Sequence, residues 1–313
     1  MISVCLDKES EFEYFFSPNN YLGEARNITP KKIGFIGLGM IGRSIVTRFL
    51  NSGHNVSVWN RTSEKCQECV AAGAQQLSTP AEIVYKCDII FCCVSGPEAV
   101  KSIVYENNGI LTGLEECEPG SKGYIELTSM NHVIVQEICK AITDKGGKYL
   151  EAPISDSISN VQEGSLLIPA TGNRQLLEDC VSCFHAIAKL TCFMNCEVGT
   201  ASKMNLVFNM LRGFTFVALA ESMALIKEAK LWHYDFVNYL SYGQMASPFV
   251  TEKYDDFMQN NLTLDTSFKY QKKNLELAVQ LNNACQQPCP MMSAALGICQ
   301  IATQRDVARL ETH

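Results

Sequence analysis

Gly37, Gly39 and Gly42 stand in the spacing G-x-G-x-x-G directly after the apolar run 33–36, and residues 43–50 continue with helical character. Gly37-Leu38-Gly39-Met40-Ile41-Gly42 is therefore expected at a strand-to-helix turn, the context in which this spacing binds a dinucleotide. The first glycine permits the tight turn, the second lets backbone approach a pyrophosphate, and the third allows helix and strand to pack closely; the helix N-terminus favours the anionic ligand. Asn60, Arg61 and Thr62 follow 23 residues after Gly37, at the end of the next β-rich run. An NAD site usually places an acid there against the ribose hydroxyls. None is present. Asn60 does not repel a 2′-phosphate, and Arg61 and Thr62 can bond to one, so NADP is the expected cofactor. A solvated turn arginine would give the same letters.

Elements that can position such a site alternate along the first part of the chain. Short β-rich runs at 33–36, 55–59, 88–94, 123–127, 148–151 and 166–170 are separated by helical patterns. This predicts an α/β fold, a mostly parallel, doubly wound sheet of the Rossmann type over 31–192. Residues 1–30 have no sustained period and end at Thr29-Pro30, which reads as an irregular arm. Past about residue 195 strand signals largely stop, and a run from 201 to 229 contains no proline and one glycine. An all-helical domain over 193–313, opened by this long helix, is the expectation.

Composition narrows the function classes. A chain of 313 residues, 47% hydrophobic, is long enough for about two domains. The net charge of −7 and the lack of any basic run argue against tight nucleic-acid binding or a membrane surface. No export signal and no segment apolar enough to span a bilayer are read, so a soluble intracellular protein is expected. The 15 cysteines then read as buried thiols. Cys66/Cys69 and Cys180/Cys183 are C-x-x-C pairs without a nearby His or a second pair at zinc-site spacing, so no metal is expected.

Several stretches together are similar to the β-hydroxyacid dehydrogenases, the family of 3-hydroxyisobutyrate dehydrogenase and glyoxylate/succinic semialdehyde reductases. The Gly37 loop, Glu126-Leu127-Thr128-Ser129, Glu151-Ala152-Pro153-Ile154-Ser155 with Gly164, residues 199–209, and Lys273 carry the resemblance over residues 31 to about 300. It implies cofactor contacts at Val94, Ser95, Ser129 and Lys273, substrate contacts at Ser155 and Asn209, and a dimer or tetramer. Residues 27–35, 58–62, 178–184 and 197–199 resemble most a nuclear branch of the family, whose chromatin contacts lie in a separate histone-reading module and basic linker. That branch implies chromatin partners and a nuclear rather than cytoplasmic location. Residues 1–30 are too short to form the module.

The resemblance also implies a catalytic lysine six residues after Gly199 and an asparagine four beyond it. Asn209 is present, but Asn205 occupies the lysine position. A neutral amide has no ammonium to give up a proton. Lys203 lies six positions before Asn209, about 600° around a helix, so the two point in opposed directions. Asp156-Ser157 and Asn160 stand where the family carries glycines, and Asn274 replaces its aspartate after Lys273. The expectation is an NADP-binding oligomeric scaffold with impaired catalysis. The competing reading is an active NADPH-dependent reductase of glyoxylate or succinic semialdehyde, with Lys203, His185 or water as proton donor.

Overall fold

A computed structural model describes residues 12–14, 28–154, 158–258, 266–286 and 288–310. Nine strands form one sheet: β1 (Phe12–Tyr14), β2 (Ile33–Ile36), β3 (Val56–Trp59), β4 (Gln75–Gln76), β5 (Ile89–Cys92), β6 (Gly123–Glu126), β7 (Lys148–Glu151), β8 (Leu166–Gly172) and β9 (Ala188–Met194), in the order β1-β9-β8-β7-β6-β5-β2-β3-β4. From β4 to β7 every neighbour is parallel. The order reverses between β2 and β5, and this switch point opens a crevice at their carboxyl ends. β2 and β5 are apolar at each of their four positions except Gly34, and are buried on both faces.

Period-2 alternation divides the side chains between two layers. Phe35 and Phe91 face a core shared with Phe49 and Phe184, built against α1 (Met40–Asn51), α2 (Gln67–Ala71), α7 (Ile158–Glu163), α8 (Arg174–Asp179) and α9 (Val181–Ile187). Ile36, Cys92, Tyr124 and Tyr149 face the other core, covered by α3 (Pro80–Lys86), α4 (Pro97–Tyr105), α5 (Ile110–Glu115) and α6 (His132–Asp144). Each fully buried Phe contributes about 1.5–3 kcal/mol. Both C-x-x-C pairs lie in the first core as thiols, and burial raises the Cys69 thiol to about 11.

Three strands depart from the sequence pattern. Where an irregular arm is read, Phe12–Tyr14 pairs antiparallel with β9. β9 follows directly on residues 176–188, whose letters read as helical, and β4 is two residues long. β8 runs antiparallel to β7 and parallel to β9. Alternation of apolar residues is identical for both strand directions, so direction was not legible.

The remaining helices are α10 (Thr200–Glu228), α11 (His233–Tyr242), α12 (Pro248–Met258), α13 (Thr266–Cys285) and α14 (Pro290–Leu310). The chain divides into two compact units inside α10, between Asn205 and Leu206. In the second unit Val217, Leu275, Ala295 and Cys299 form one small core, and Leu219, Val250 and Tyr254 another. One expectation is corrected here: α10 is long and apolar enough, by length and composition, to cross a bilayer. Its apolar residues lie widely around the helix, yet Ser202, Asn205 and Asn209 are buried along it and its first turn is bonded to a strand carboxylate.

Candidate functional site

The glycine loop joins β2 to α1, and two of its three glycines answer steric demands of the fold while the third leaves open space. Gly37 has φ +98°, and a Cβ there would run into the Cys93 carbonyl at the end of β5. At Gly42 a Cβ would strike the Gly37 carbonyl. Gly39 faces open space, with nothing within 4 Å of an added Cβ. It is also the N-cap of α1, whose first turn carries neither an acidic residue nor a side-chain cap. The first amides of a helix have no intrahelical acceptor. An open backbone cradle at the positive end of a 12-residue helix fits a pyrophosphate. Leu38 is buried and Met40 exposed, and neither position offers a polar side chain.

At the end of β3, Asn60 acts as a brace. Its Oδ1 accepts from the Leu38 amide at 2.9 Å and its Nδ2 donates to the Thr62 carbonyl at 2.8 Å, tying the glycine loop to the next turn. Arg61 is exposed and forms no ion pair among the described residues. Thr62 opens a 3-10 turn, Ser63–Cys66, without a side-chain cap bond. Arg43, one residue past the glycine loop, is paired with Glu68 at 2.6 Å. Of these two arginines, Arg61 is the one left facing solvent.

Across the switch point, the ends of β5 and β6 are bonded to each other. The Val94 amide donates to Thr128 Oγ1 at 3.1 Å, and the Thr128 amide donates to Glu126 Oε1 at 2.8 Å. Ser95 beyond Val94 is exposed. Tyr124 donates its hydroxyl to Glu126 Oε2 at 3.0 Å. Ser129 donates to the Ile154 carbonyl at 3.1 Å and accepts from Asn205 Nδ2 at 3.0 Å. The structure thus brings Asn205, 7% exposed, to the strand end that carries Ser129.

A carboxylate that the sequence pattern did not single out holds Asn205 there. Glu151, at the end of β7 and 1% exposed, accepts from the Gly199 amide at 2.6 Å, the Ser202 amide at 2.7 Å and the Thr171 hydroxyl at 2.6 Å. It therefore caps α10 from another element, where the helix dipole favours an anion. Gly199, at φ +103°, makes the turn that aims its amide. Arg48 on α1 plays a similar bracing part, donating to the Ala186 and Gln162 carbonyls. A Cβ on Gly164, which has φ +69°, would run into its guanidinium.

The other candidates are distributed as follows. Lys203 stands 3.8 Å from Glu197 with a third of its side chain exposed. His185 lies on α9, which packs on α1, α7 and β9; burial lowers its pKa. Asn209, 1% exposed on α10, and Lys273 on α13, whose pKa burial lowers, belong to the second unit, as does the buried Asn274. Ser155, Asp156 and Ser157 lie outside the described residues.

Comparison with known proteins agrees with this geometry. Residues 32–199 match the family described as the NAD binding domain of 6-phosphogluconate dehydrogenase. The chain is 42% identical to the cytokine-like nuclear factor N-PAC of Homo sapiens over 271 residues, 86% of this chain and 48% of that protein. It spans about half the length of the curated relatives it matches. Among solved structures it superposes on 3-hydroxyisobutyrate dehydrogenase from Salmonella typhimurium with a TM-score of 0.77, at 20% identity, over 88% of this chain and 94% of that one. Psf3 in complex with NADP+ and 2-OPP gives the same TM-score at 19% identity, covering 87% and 94%. At such identities these two show the shared fold.

Proposed function

The chain belongs to the family described as the NAD binding domain of 6-phosphogluconate dehydrogenase, and on that premise we propose an NADP-binding, 3-hydroxyisobutyrate dehydrogenase-related member with impaired dehydrogenase chemistry. The observation that carries the reading is Asn205, a buried amide bonded to Ser129, at the position where the family's proton-donating lysine is expected. When bound, the cofactor would supply a hydride. The Gly37–Gly42 backbone and the start of α1 would hold its pyrophosphate, and Arg61 with Thr62 its 2′-phosphate. Val94, Ser95 and Ser129 would line its nicotinamide side. The family resemblance assigns Lys273 to the cofactor as well, and Ser155 and Asn209 to a substrate. A proton for a carbonyl oxygen has no titrating donor at Asn205.

Gly39→Ala separates binding from folding. The backbone there, at φ −67°, suits alanine and the space is empty, so stability should stay within about 0.5 kcal/mol. The methyl group would occupy the pyrophosphate's approach, and NADPH affinity should fall at least about tenfold. Thermal unfolding and an NADPH titration on the same sample check both halves; undiminished affinity would remove the loop from the cofactor site.

An oligomeric scaffold is the role that remains for such a protein. Val207, Phe208 and Leu211 on α10 are 48%, 56% and 59% exposed in the single chain, an apolar strip of the kind that subunits cover. A monomeric mass in solution at micromolar concentration would remove this part. A nuclear location and chromatin partners rest on the N-PAC likeness alone, and exclusion of the tagged chain from nuclei would contradict them. The net charge of −7 supports partners other than bare DNA.

A further inference from the structure

Glu126 and Glu151 are in-register neighbours at the ends of β6 and β7, and each is 1% exposed. The two carboxylates differ in their donors. Glu151 accepts from two amides at the start of α10 and from Thr171. Glu126 has only its own strand's donors, Tyr124 and Thr128. Burial pushes its carboxyl up to about 7, with Glu151 adding to the rise and the bonds from Thr128 and Tyr124 opposing it. The other titratable groups facing it are Tyr124, Cys92 and Cys93 on β6 and β5 and Tyr149 on β7, all raised by burial and so neutral near pH 7. His132 and Cys139 on α6 face Glu151, and burial keeps both neutral there too.

One residue links Glu126 to the crevice. Thr128 gives its amide to the carboxylate while its hydroxyl oxygen accepts from the Val94 amide, which leaves the hydroxyl proton free to turn toward the same carboxylate. A hydroxyl has one proton and two lone pairs, so this arrangement is complete when Glu126 is ionised. A protonated Glu126 needs an acceptor for its own proton, and the oxygens of Thr128 and Tyr124 are the ones in reach. The Val94 bond then competes for the same threonine oxygen.

We propose that Glu126 is a positioning residue for the cofactor: acting through Thr128, its carboxylate holds Val94 and Ser95 at the crevice, so that dinucleotide affinity depends on whether Glu126 carries a proton. The inference rests on the reading of this crevice as an NADP site. Affinity should rise with pH through neutrality, because the ionised form holds the binding geometry.

The test is an NADPH titration from one unit below to one unit above neutral pH on the wild-type chain, Glu126→Gln and Thr128→Val. Wild-type affinity should rise roughly two- to tenfold, the worth of one net hydrogen bond. Glu126→Gln should stay at the weaker value once the ligand phosphate's own titration, common to all three proteins, is subtracted. Thr128→Val should lose the pH dependence while the infrared band of the Glu126 carboxyl still titrates, a result that holds the question open to test even if Glu126→Gln fails to fold. Parallel profiles in all the proteins that fold, with NADPH bound, would overturn this inference alone. No NADPH binding by the wild-type chain at any pH would overturn the cofactor reading and the inference with it.

Discussion

Asn205→Lys is expected to raise NADPH-dependent reduction of glyoxylate or succinic semialdehyde by roughly 10²–10⁴-fold, the usual worth of a positioned general acid. The position is already organised for the task. Asn205 is 7% exposed and 3.0 Å from Ser129 Oγ, and the start of its helix is fastened to Glu151 by two amides. A lysine there would carry its ammonium to the same strand end, and burial would lower its pKa toward the range where it gives up a proton readily. Lys203 does not supply this function, because it points toward Glu197 at the surface; Lys203→Met should leave any residual rate within about twofold. Steady-state NADPH absorbance measures both variants. An unchanged rate in an Asn205→Lys protein that still binds NADPH would shift the defect to Asp156, Ser157 and Asn160, which stand where the family carries glycines.

Glu151→Ala should destabilise the chain by roughly 3–5 kcal/mol, the cost of leaving three buried donors without their acceptor after partial relaxation. Three donors lose their acceptor at once: the amides of Gly199 and Ser202 and the hydroxyl of Thr171. Each buried donor left unsatisfied costs about 1–3 kcal/mol, and relaxation recovers part of the sum. Glu151→Gln keeps the volume and one acceptor oxygen but turns an NH2 toward other donors, so about 2–3 kcal/mol should be lost. Denaturant midpoints for the three proteins give the comparison. A loss below about 1 kcal/mol in Glu151→Ala would mean that α10 is held to β7 by something other than this carboxylate.

The glycine loop was legible because Gly37 and Gly42 answer local steric demands that a larger residue would violate, and Gly39 keeps a ligand's approach open; such local demands leave a spacing in the letters. The apolar runs of β2 and β5 were legible for a similar reason, since a central strand is apolar on both faces. β1 and β9 were not, because their pairing is set by residues about 180 positions apart. Asn60 reads in the letters as a phosphate neighbour; that it also braces the loop through the Leu38 amide at 2.9 Å joins residues 22 positions apart and leaves no mark in the sequence. The Glu126 and Glu151 pair depends on the register of β6 against β7, which no spacing within either strand reveals. The contact of Asn205 with Ser129 joins residues 76 positions apart, and the sequence could mark the first only as an asparagine in place of a lysine.

Titrating NADPH and measuring turnover on one preparation of the wild-type chain separates cofactor binding from catalysis. The expected result is saturable NADPH binding, weakened by Gly39→Ala, together with reduction of glyoxylate and succinic semialdehyde far below ~1 s⁻¹. Turnover within the ordinary range of ~1–10³ s⁻¹ would contradict it.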